Sequence, residues 1–337
     1  MSDIGADFFT APEVNFPGVV RLALTIGDAA GIGPEIALRA AQSCRGWKQC
    51  EIVLYGSPAV IQAAALKFTP GFKPSIMPVG DLTPENFVAG ELSPRCGRVA
   101  YDTVVAATED VLAGKMDAIV TAPVNKAAVN LCGINFTGHT ELIAGLCHEK
   151  DYAMMQSAGN LRVVFVTTHI PLAQVSSVIT SERIVKVGKL LNDVIVAEGV
   201  KHPRLVAAGI NPHAGEDGFM GREDEDIVKP ALAELRASGI EISGPLPSDT
   251  LFVEKIRGQY DGIISMYHDQ GHIPFKMLAF DRGVNSTLGI PVIRCSVDHG
   301  TAFEIAWQGV ADIGSMLSAV RLAYLRAAHR KMNKEKI

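Results

Sequence analysis

No excess of basic residues runs through the 337-residue chain: 31 lysines and arginines stand against 36 acidic residues, a net charge of -5. A nucleic-acid backbone favours basic faces, so nucleic acid is not expected as a general partner; a small anion held by a few local cations remains open. The six cysteines, Cys44, Cys50, Cys96, Cys132, Cys147 and Cys295, contain no CxxC pair and no regular framework. In a chain this long that pattern predicts reduced thiols in a cytoplasmic protein rather than disulfide staples. No continuous run of ~18 apolar residues offers a membrane span. The acidic N-terminus, MSDIGADFFTAPEVNFPG, has no apolar stretch suited to a signal peptide. Internal repeats, low-complexity tracts and Gly/Ser linkers are absent too, so no domain boundary is visible as a linker. Two chemical motifs are also missing. There is no HExxH, and the glycine-rich turn GDAAGIGPE (27–35) is spaced G-x-x-x-G-x-G, not as the dinucleotide G-x-G-x-x-G.

What is present is an ordinary globular composition, 48% hydrophobic and 20% charged with 32 glycines and 18 prolines. That supplies a sizeable core, and the length suits about two domains at roughly 150 residues each. Short apolar runs alternate with helical patterns. RLALTIG (21–27), EIVLYG (51–56), AIVTAP (118–123), RVVFVTT (162–168), LVAAGI (205–210), GIISM (262–266) and PVIRCSV (291–297) predict strands. Helices are expected over 34–44, within 94–114, over 139–148, 180–198, about 225–237 and about 301–330. In the 180–198 segment Ile184, Val187, Leu191 and Val194 share one face. Strands apolar throughout suit a sheet covered on both faces, and the alternation implies an α/β fold with largely parallel pairing.

Three of those strands end in histidine. VVFVTTH reaches His169, LVAAGINPH reaches His213 and GIISMYH reaches His268, each one to three residues past its predicted strand. In open α/β sheets ligands bind beyond the carboxyl ends of the strands, where three imidazoles would leave open positions on a metal. Post-strand histidines also cap backbone groups or sit in solvent, and at the level of residues both readings stand. The same holds for His139 in FTGHTE, a ligand contact or an N-terminal cap; His148, His202 and His329 read as surface residues. GDAAGIGPE reads either as an anion-binding helix start or as a turn that needs glycine dihedrals. Lys126, Asp249, Lys276, Asn285 and Arg294 lie in or beside strand-end segments. Together such cations and amides suit a phosphorylated hydroxy acid; singly each is an ordinary surface or turn residue.

Taken together these segments resemble the 4-hydroxythreonine-4-phosphate dehydrogenase family. The motifs are GDAAGIGPE, TAPVNK, FTGHTE, TTHIPL, GINPHAGEDGFMG, LPSDTLF, MYHDQG, GVNSTLGIPVIR and SVDHGTAFEIA, in family order from about residue 20 to residue 310. The resemblance implies an isocitrate/isopropylmalate dehydrogenase-like α/β fold with two α/β/α lobes flanking a cleft. The expected lobes are 19–135 with 286–337, and 136–285, after an N-terminal leader over 1–18. It implies a homodimeric, NAD-linked (or NADP-linked) dehydrogenase that needs a divalent metal: zinc, alternatively magnesium, cobalt, manganese or nickel. By the resemblance His169, His213 and His268 are metal ligands, in a site completed across the dimer interface. His139, Thr140, Lys276, Asn285 and Arg294 fall on its substrate residues, and His299, Gly300, Thr301 and Ala302 on its cofactor motif.

The implied reaction is oxidation, with decarboxylation, of a phosphorylated 3-hydroxy acid, foremost 4-phosphohydroxy-L-threonine in pyridoxine biosynthesis. Asp249 is the first candidate for the base and Lys126 the second. Three departures stand out. His272, in GHIPFK, occupies a position where the vitamin-pathway members carry leucine, as in GLPVLK. The GHIP form resembles the paralogous branch of D-threonate or D-erythronate 4-phosphate and dihydrodiol-dicarboxylate dehydrogenases. Ala29 replaces a common proline, and Trp307–Gln308 replace a small and a basic residue, which touches the cofactor side. Two other classes are weighed. A phosphate acyltransferase needs neither three histidines nor DHGTA, and a non-catalytic binder of sugar-acid phosphates would be separated by a titration with NAD.

Overall fold

The computed structural model of the chain describes Pro12, Val14 and residues 18–334; apart from Pro12, Val14 and Gly18 the segment read as a leader lies outside the described residues. Strands in chain order are β1 (Val20–Thr25), β2 (Cys50–Gly56), β3 (Ser75–Pro78), β4 (Ala118–Thr121), β5 (Ala153–Ala158), β6 (Leu161–Phe165), β7 (Arg204–Ala208), β8 (Glu241–Leu246), β9 (Gly262–Ser265), β10 (Val284–Leu288) and β11 (Arg294–Val297). They belong to two compact units. Residues 153–280 form one, and the described residues up to 152 together with 281–334 form the other.

In the discontinuous unit the strand order is β3-β2-β1-β4-β11-β10, parallel except for the β10–β11 pair. Strand alternation sorts its side chains to two faces. Leu22, Leu24, Leu54, Ala118 and Val120 join the core beneath the helices Gly33–Ser43 and Gly314–Lys334. Ala23, Val53, Tyr55 and Ile119 join the core beneath Pro94–Leu112 and His139–Leu146. Each buried leucine of β1 is worth about 1.5–3 kcal/mol, and both faces are dry past the exposed Arg21, so Leu22–Leu24 read as a continuous apolar run.

The 153–280 unit has the order β5-β6-β9-β7-β8, parallel except for β5–β6. Val163, Phe165, Val206, Ala208 and Ile263 pack on one face with Phe275 and Ala279 from the helix His268–Ala279. On the other face Leu191 and Ile195 of the helix Ser181–Ala197 lie so close to Gly262 that a Cβ there would meet them at 2.8–3.1 Å.

Several expectations change. The division falls at 152/153 and 280/281, not at 135/136 and 285/286, because Ile143 and Ala144 bury against Val104, Ala107 and Val111 and carry the segment 136–152 into the discontinuous unit. The last helix begins at Gly314 rather than near 301, since the intervening residues wrap the glycine-rich turn and take left-handed backbone at Ala302 and Trp307. Residues 268–279, an apolar-polar mixture after β9, are helical. The strands β3, β5, β8 and β10 and the helix Pro58–Phe68 carry no signal that sequence reasoning used.

Candidate active site

The histidines after β6 and β9 come together. The rings of His169 and His268 lie 5.6 Å apart between centroids and border a pocket of about 220 Å³ with Thr168, Tyr267 and Asp269. His268 Nδ1 is 2.7 Å from Asp269 Oδ1, which orients the ring and leaves Nε2 as its other donor or acceptor position. His213, exposed on the segment after β7, sits apart from this pair in its own contacts, with Nδ1 3.6 Å from Glu216. Among the described residues no group of three His, Cys, Asp or Glu side chains is close enough to hold a metal. Two of the three expected donors, His169 and His268, therefore lie together, and His213 does not join them among the described residues.

His213 stands on unusual backbone. His213, Ala214, Gly215, Glu216 and Asp217 all take positive φ, at 52°, 55°, 80°, 47° and 55°. A left-handed residue with a Cβ costs roughly 1–2 kcal/mol, so this turn is held from outside. Asp224 holds it: its two carboxylate oxygens accept from the Ile210 and Asn211 amides at 2.8 and 3.0 Å. Burial nevertheless pushes the Asp224 carboxyl up.

The helix His268–Ala279 puts His268, His272 and Lys276 on one face at four-residue intervals. His272 stacks on His268 at 4.1 Å and 11°, and on Phe165 of β6 at 4.6 Å. It is 7% exposed, and neither ring nitrogen has a hydrogen-bond partner among the described residues. Burial, then the neighbouring His268 and Lys276, pushes it down to about 4, so it is neutral at pH 7. Asp249 is exposed in the first turn of the helix Ser248–Leu251, directly after β8.

In the discontinuous unit a cationic cluster forms around Arg294 of β11, which is 4% exposed. Nη1 donates to Asn285 Oδ1 at 2.9 Å, Thr287 Oγ1 at 3.3 Å and Thr140 Oγ1 at 3.4 Å; Nη2 donates to Thr121 Oγ1 at 3.3 Å. Every partner is neutral, Nε has none, and no carboxylate pairs with the guanidinium among the described residues. Burial pulls its pKa down to about 10. His139 opens the helix His139–Leu146, where burial, then Arg294 and Lys126, push it down to about 3. Its Nε2 is buried and has no hydrogen-bond partner among the described residues. Thus His139, Thr140, Asn285 and Arg294 converge, with Lys126 near enough to act on His139 electrostatically. Thr121 and Thr287, missed in the sequence, complete the set. Thr287 was findable only through its register opposite Arg294.

The loop 299–302 closes on the glycine-rich turn. The Ile32 amide donates to Thr301 O at 3.0 Å, and Trp307 Nε1 donates to Ala29 O at 2.8 Å. A Cβ at Gly31 would stand 2.8 Å from Thr301 O. The turn's glycines are therefore required for close approach, and at least one helix-start amide is already used. Among the described residues His299 Nε2 is buried without a hydrogen-bond partner and nothing lies within 4 Å of a Cβ placed on Gly300, which leaves room at this loop for a ligand.

Residues 48–323 match the family described as Pyridoxal phosphate biosynthetic protein PdxA. The chain belongs to the PdxA family. Its relatives include the D-threonate 4-phosphate dehydrogenase of Salmonella typhimurium, 42% identical over 90% of this chain and 97% of that one. The 4-hydroxythreonine-4-phosphate dehydrogenase of Colwellia psychrerythraea is 44% identical over 92% of this chain and 99% of that one. The crystal structure of 4-hydroxythreonine-4-phosphate dehydrogenase from Klebsiella pneumoniae superposes with a TM-score of 0.80 at 40% identity, covering 94% of this chain and 100% of that one. As a PdxA-family chain this protein is an oxidoreductase of the dehydrogenase kind. Among its described residues no helix is long and apolar enough to cross a membrane.

Proposed function

We propose that this PdxA-family enzyme oxidises a phosphorylated 3-hydroxy acid with NAD (or NADP) and decarboxylates the product, with 4-phosphohydroxy-L-threonine as the substrate. The observation that carries the reading is Arg294: a buried guanidinium whose hydrogen bonds go only to neutral oxygens, with the Glu141 carboxylate acting on it electrostatically but not paired with it. An unpaired buried charge is costly, and a dianionic phosphate would offset that cost on binding. His139, neutral at pH 7, and Thr140 would complete the anion's hydrogen bonds.

His169, His213 and His268 would hold a divalent metal, most simply zinc, with His213 and the remaining coordination supplied on pairing of two subunits. When bound, such an ion polarises the substrate hydroxyl and lowers its pKa. Asp249 would take the hydroxyl proton as the carbon-bound hydrogen leaves as hydride to the nicotinamide, with Lys126 the second candidate for that role. The 3-oxo acid so formed loses its carboxylate as CO2. Lys276 would offset substrate charge, and the 299–302 loop would take the adenine side of the cofactor. Homodimer formation is supported by Ile273, Met277 and Phe280, exposed at 56%, 83% and 64% along one side of the helix that begins at His268.

A second reading, D-threonate 4-phosphate as substrate, is favoured by His272, buried and unpaired behind His268. The test is NADH formation with both acids in parallel, before and after chelation. Turnover of neither acid overturns the reading; preference for the second selects the alternative. Arg294→Ala should raise KM roughly 10–100-fold with less effect on kcat, from ~1.5–3 kcal/mol per lost charged hydrogen bond. An unchanged KM would remove Arg294 from the phosphate site.

A further inference from the structure

We infer that Gln270 is the positioning residue that locks together the three strand-end segments bearing His213, Asp249 and His268. Its Oε1 accepts from the Met266 amide at 2.6 Å and from the Ser265 hydroxyl at 3.0 Å, at the end of β9. Its Nε2 donates to Gly209 O at 2.6 Å, just past β7, and to Ser248 Oγ at 2.8 Å, just past β8. The side chain is 8% exposed, and all four hydrogen-bonding capacities of the primary amide are used. The amide's orientation is forced: a flip would set its NH2 against the Met266 N–H and its oxygen against Gly209 O.

Each contact leads directly to a proposed site residue. Gly209 lies against the left-handed turn, since a Cβ on it would meet Ala214 Cα at 2.7 Å and Asp224 Oδ1 at 3.2 Å. Its carbonyl is gripped a second time by the Ser248 hydroxyl at 3.3 Å. Ser248 precedes Asp249, and Gln270 itself lies in the helix turn that His268 opens. The neighbouring Gly271 lets that turn sit on the sheet, because a Cβ there would meet Phe165 and Val163 at 2.8 Å. No other natural side chain matches these demands. Glutamate keeps the length and the acceptor toward Met266, but sets a carboxylate oxygen against Gly209 O. Methionine keeps the bulk and loses all four bonds.

The roles of the anchored residues rest on the function proposed above; the anchoring itself does not. The experiment compares wild type, Gln270→Glu, Gln270→Met and Ser248→Ala as full-length chains. Two quantities are read: zinc affinity by competition with a chromophoric chelator, and hydrogen–deuterium exchange by segment. Gln270→Glu is expected to speed exchange in 209–221 and 247–253 selectively, and to weaken zinc binding about 10–100-fold, the cost typical of removing an outer-shell partner. Ser248→Ala should show a smaller change in the same segments. Exchange that is unchanged there, or that rises uniformly over both units, overturns the inference. If wild type binds no zinc while exchange responds as described, the positioning role stands and the metal reading falls.

Discussion

Arg294 and Asp28 show how much a single environment decides. Sequence reasoning picked Arg294 from its motif, yet an arginine in a strand is ordinarily an exposed, paired charge; what makes this one chemical is the ring of neutral oxygens from β4, β10 and the helix His139–Leu146. Asp28 was not singled out at all. It is buried, one carboxylate oxygen accepts from the Ala30 amide at 2.9 Å, and the other has no partner among the described residues. Burial pushes its carboxyl up to about 6 from 3.8, against the opposing pull of the Ala30 and Asn125 backbone. A folded pKa above the unfolded one means that ionisation opposes folding, so Asp28 reduces stability progressively as pH rises through 4 to 6. Asp28→Asn keeps the amide contact and removes the charge. It should raise Tm at pH 7.5, by about 1–3 kcal/mol of stability given 1.36 kcal/mol per pKa unit. A lower Tm would mean that a cation or water satisfies the free oxygen.

At the scale of elements, the strands that lead to the histidines were legible because β6, β7 and β9 each carry a buried apolar run, Val163–Phe165, Leu205–Ala208 and Gly262–Ile264. The helix after β9 was not, because Gly271 and Pro274 interrupt its periodicity. Helical spacing is nevertheless what answers the clustering of titratable residues in MYHDQGHIPFK: His268 and His272 stack because they are four apart on a helix pressed against Phe165. The turn after β7 is the opposite case. Nothing in GINPHAGEDG forecasts five successive left-handed residues, which only the Asp224 carboxylate and its surroundings make tenable. Ala214→Gly is expected to stabilise the protein by up to about 1 kcal/mol, the left-handed cost less the added freedom of glycine when unfolded. If the imposed backbone serves to aim His213, the same variant should weaken zinc binding. Urea unfolding and zinc competition on one sample check both effects, and unchanged stability would show that the turn carries no strain.

For the whole molecule the buried neutral histidine sets an acid limit. His139 is held at about 3 against an ordinary 6.5, so between those values the unfolded chain binds a proton that the folded chain refuses. The contribution of His139 to stability is therefore complete above pH 6.5 and is lost as pH falls toward 3. His139→Asn should flatten that decline by a few kcal/mol, read as Tm against pH. An identical slope in the variant would locate the acid sensitivity elsewhere, with His272, shifted the same way, the next group to test.

The seven apolar strands, the largely parallel α/β class and the residue types of the site follow from local chain properties: apolar runs make doubly covered strands, and side chains past their ends gather on one side of a sheet. Family membership was legible for the same reason, since the motifs occupy those ends. Which residues meet was decided only in three dimensions. Thr121, Thr287 and Arg294 are brought together by strand register and Thr140 by the helix His139–Leu146, with Thr121 and Arg294 173 positions apart. The Gly209–Gln270 bond spans 61 residues. A 17-residue segment, 136–152, belongs to the discontinuous unit because Ile143 finds its core there. Local propensity carries no information about such partners; burial and saturation of polar groups at long range select them.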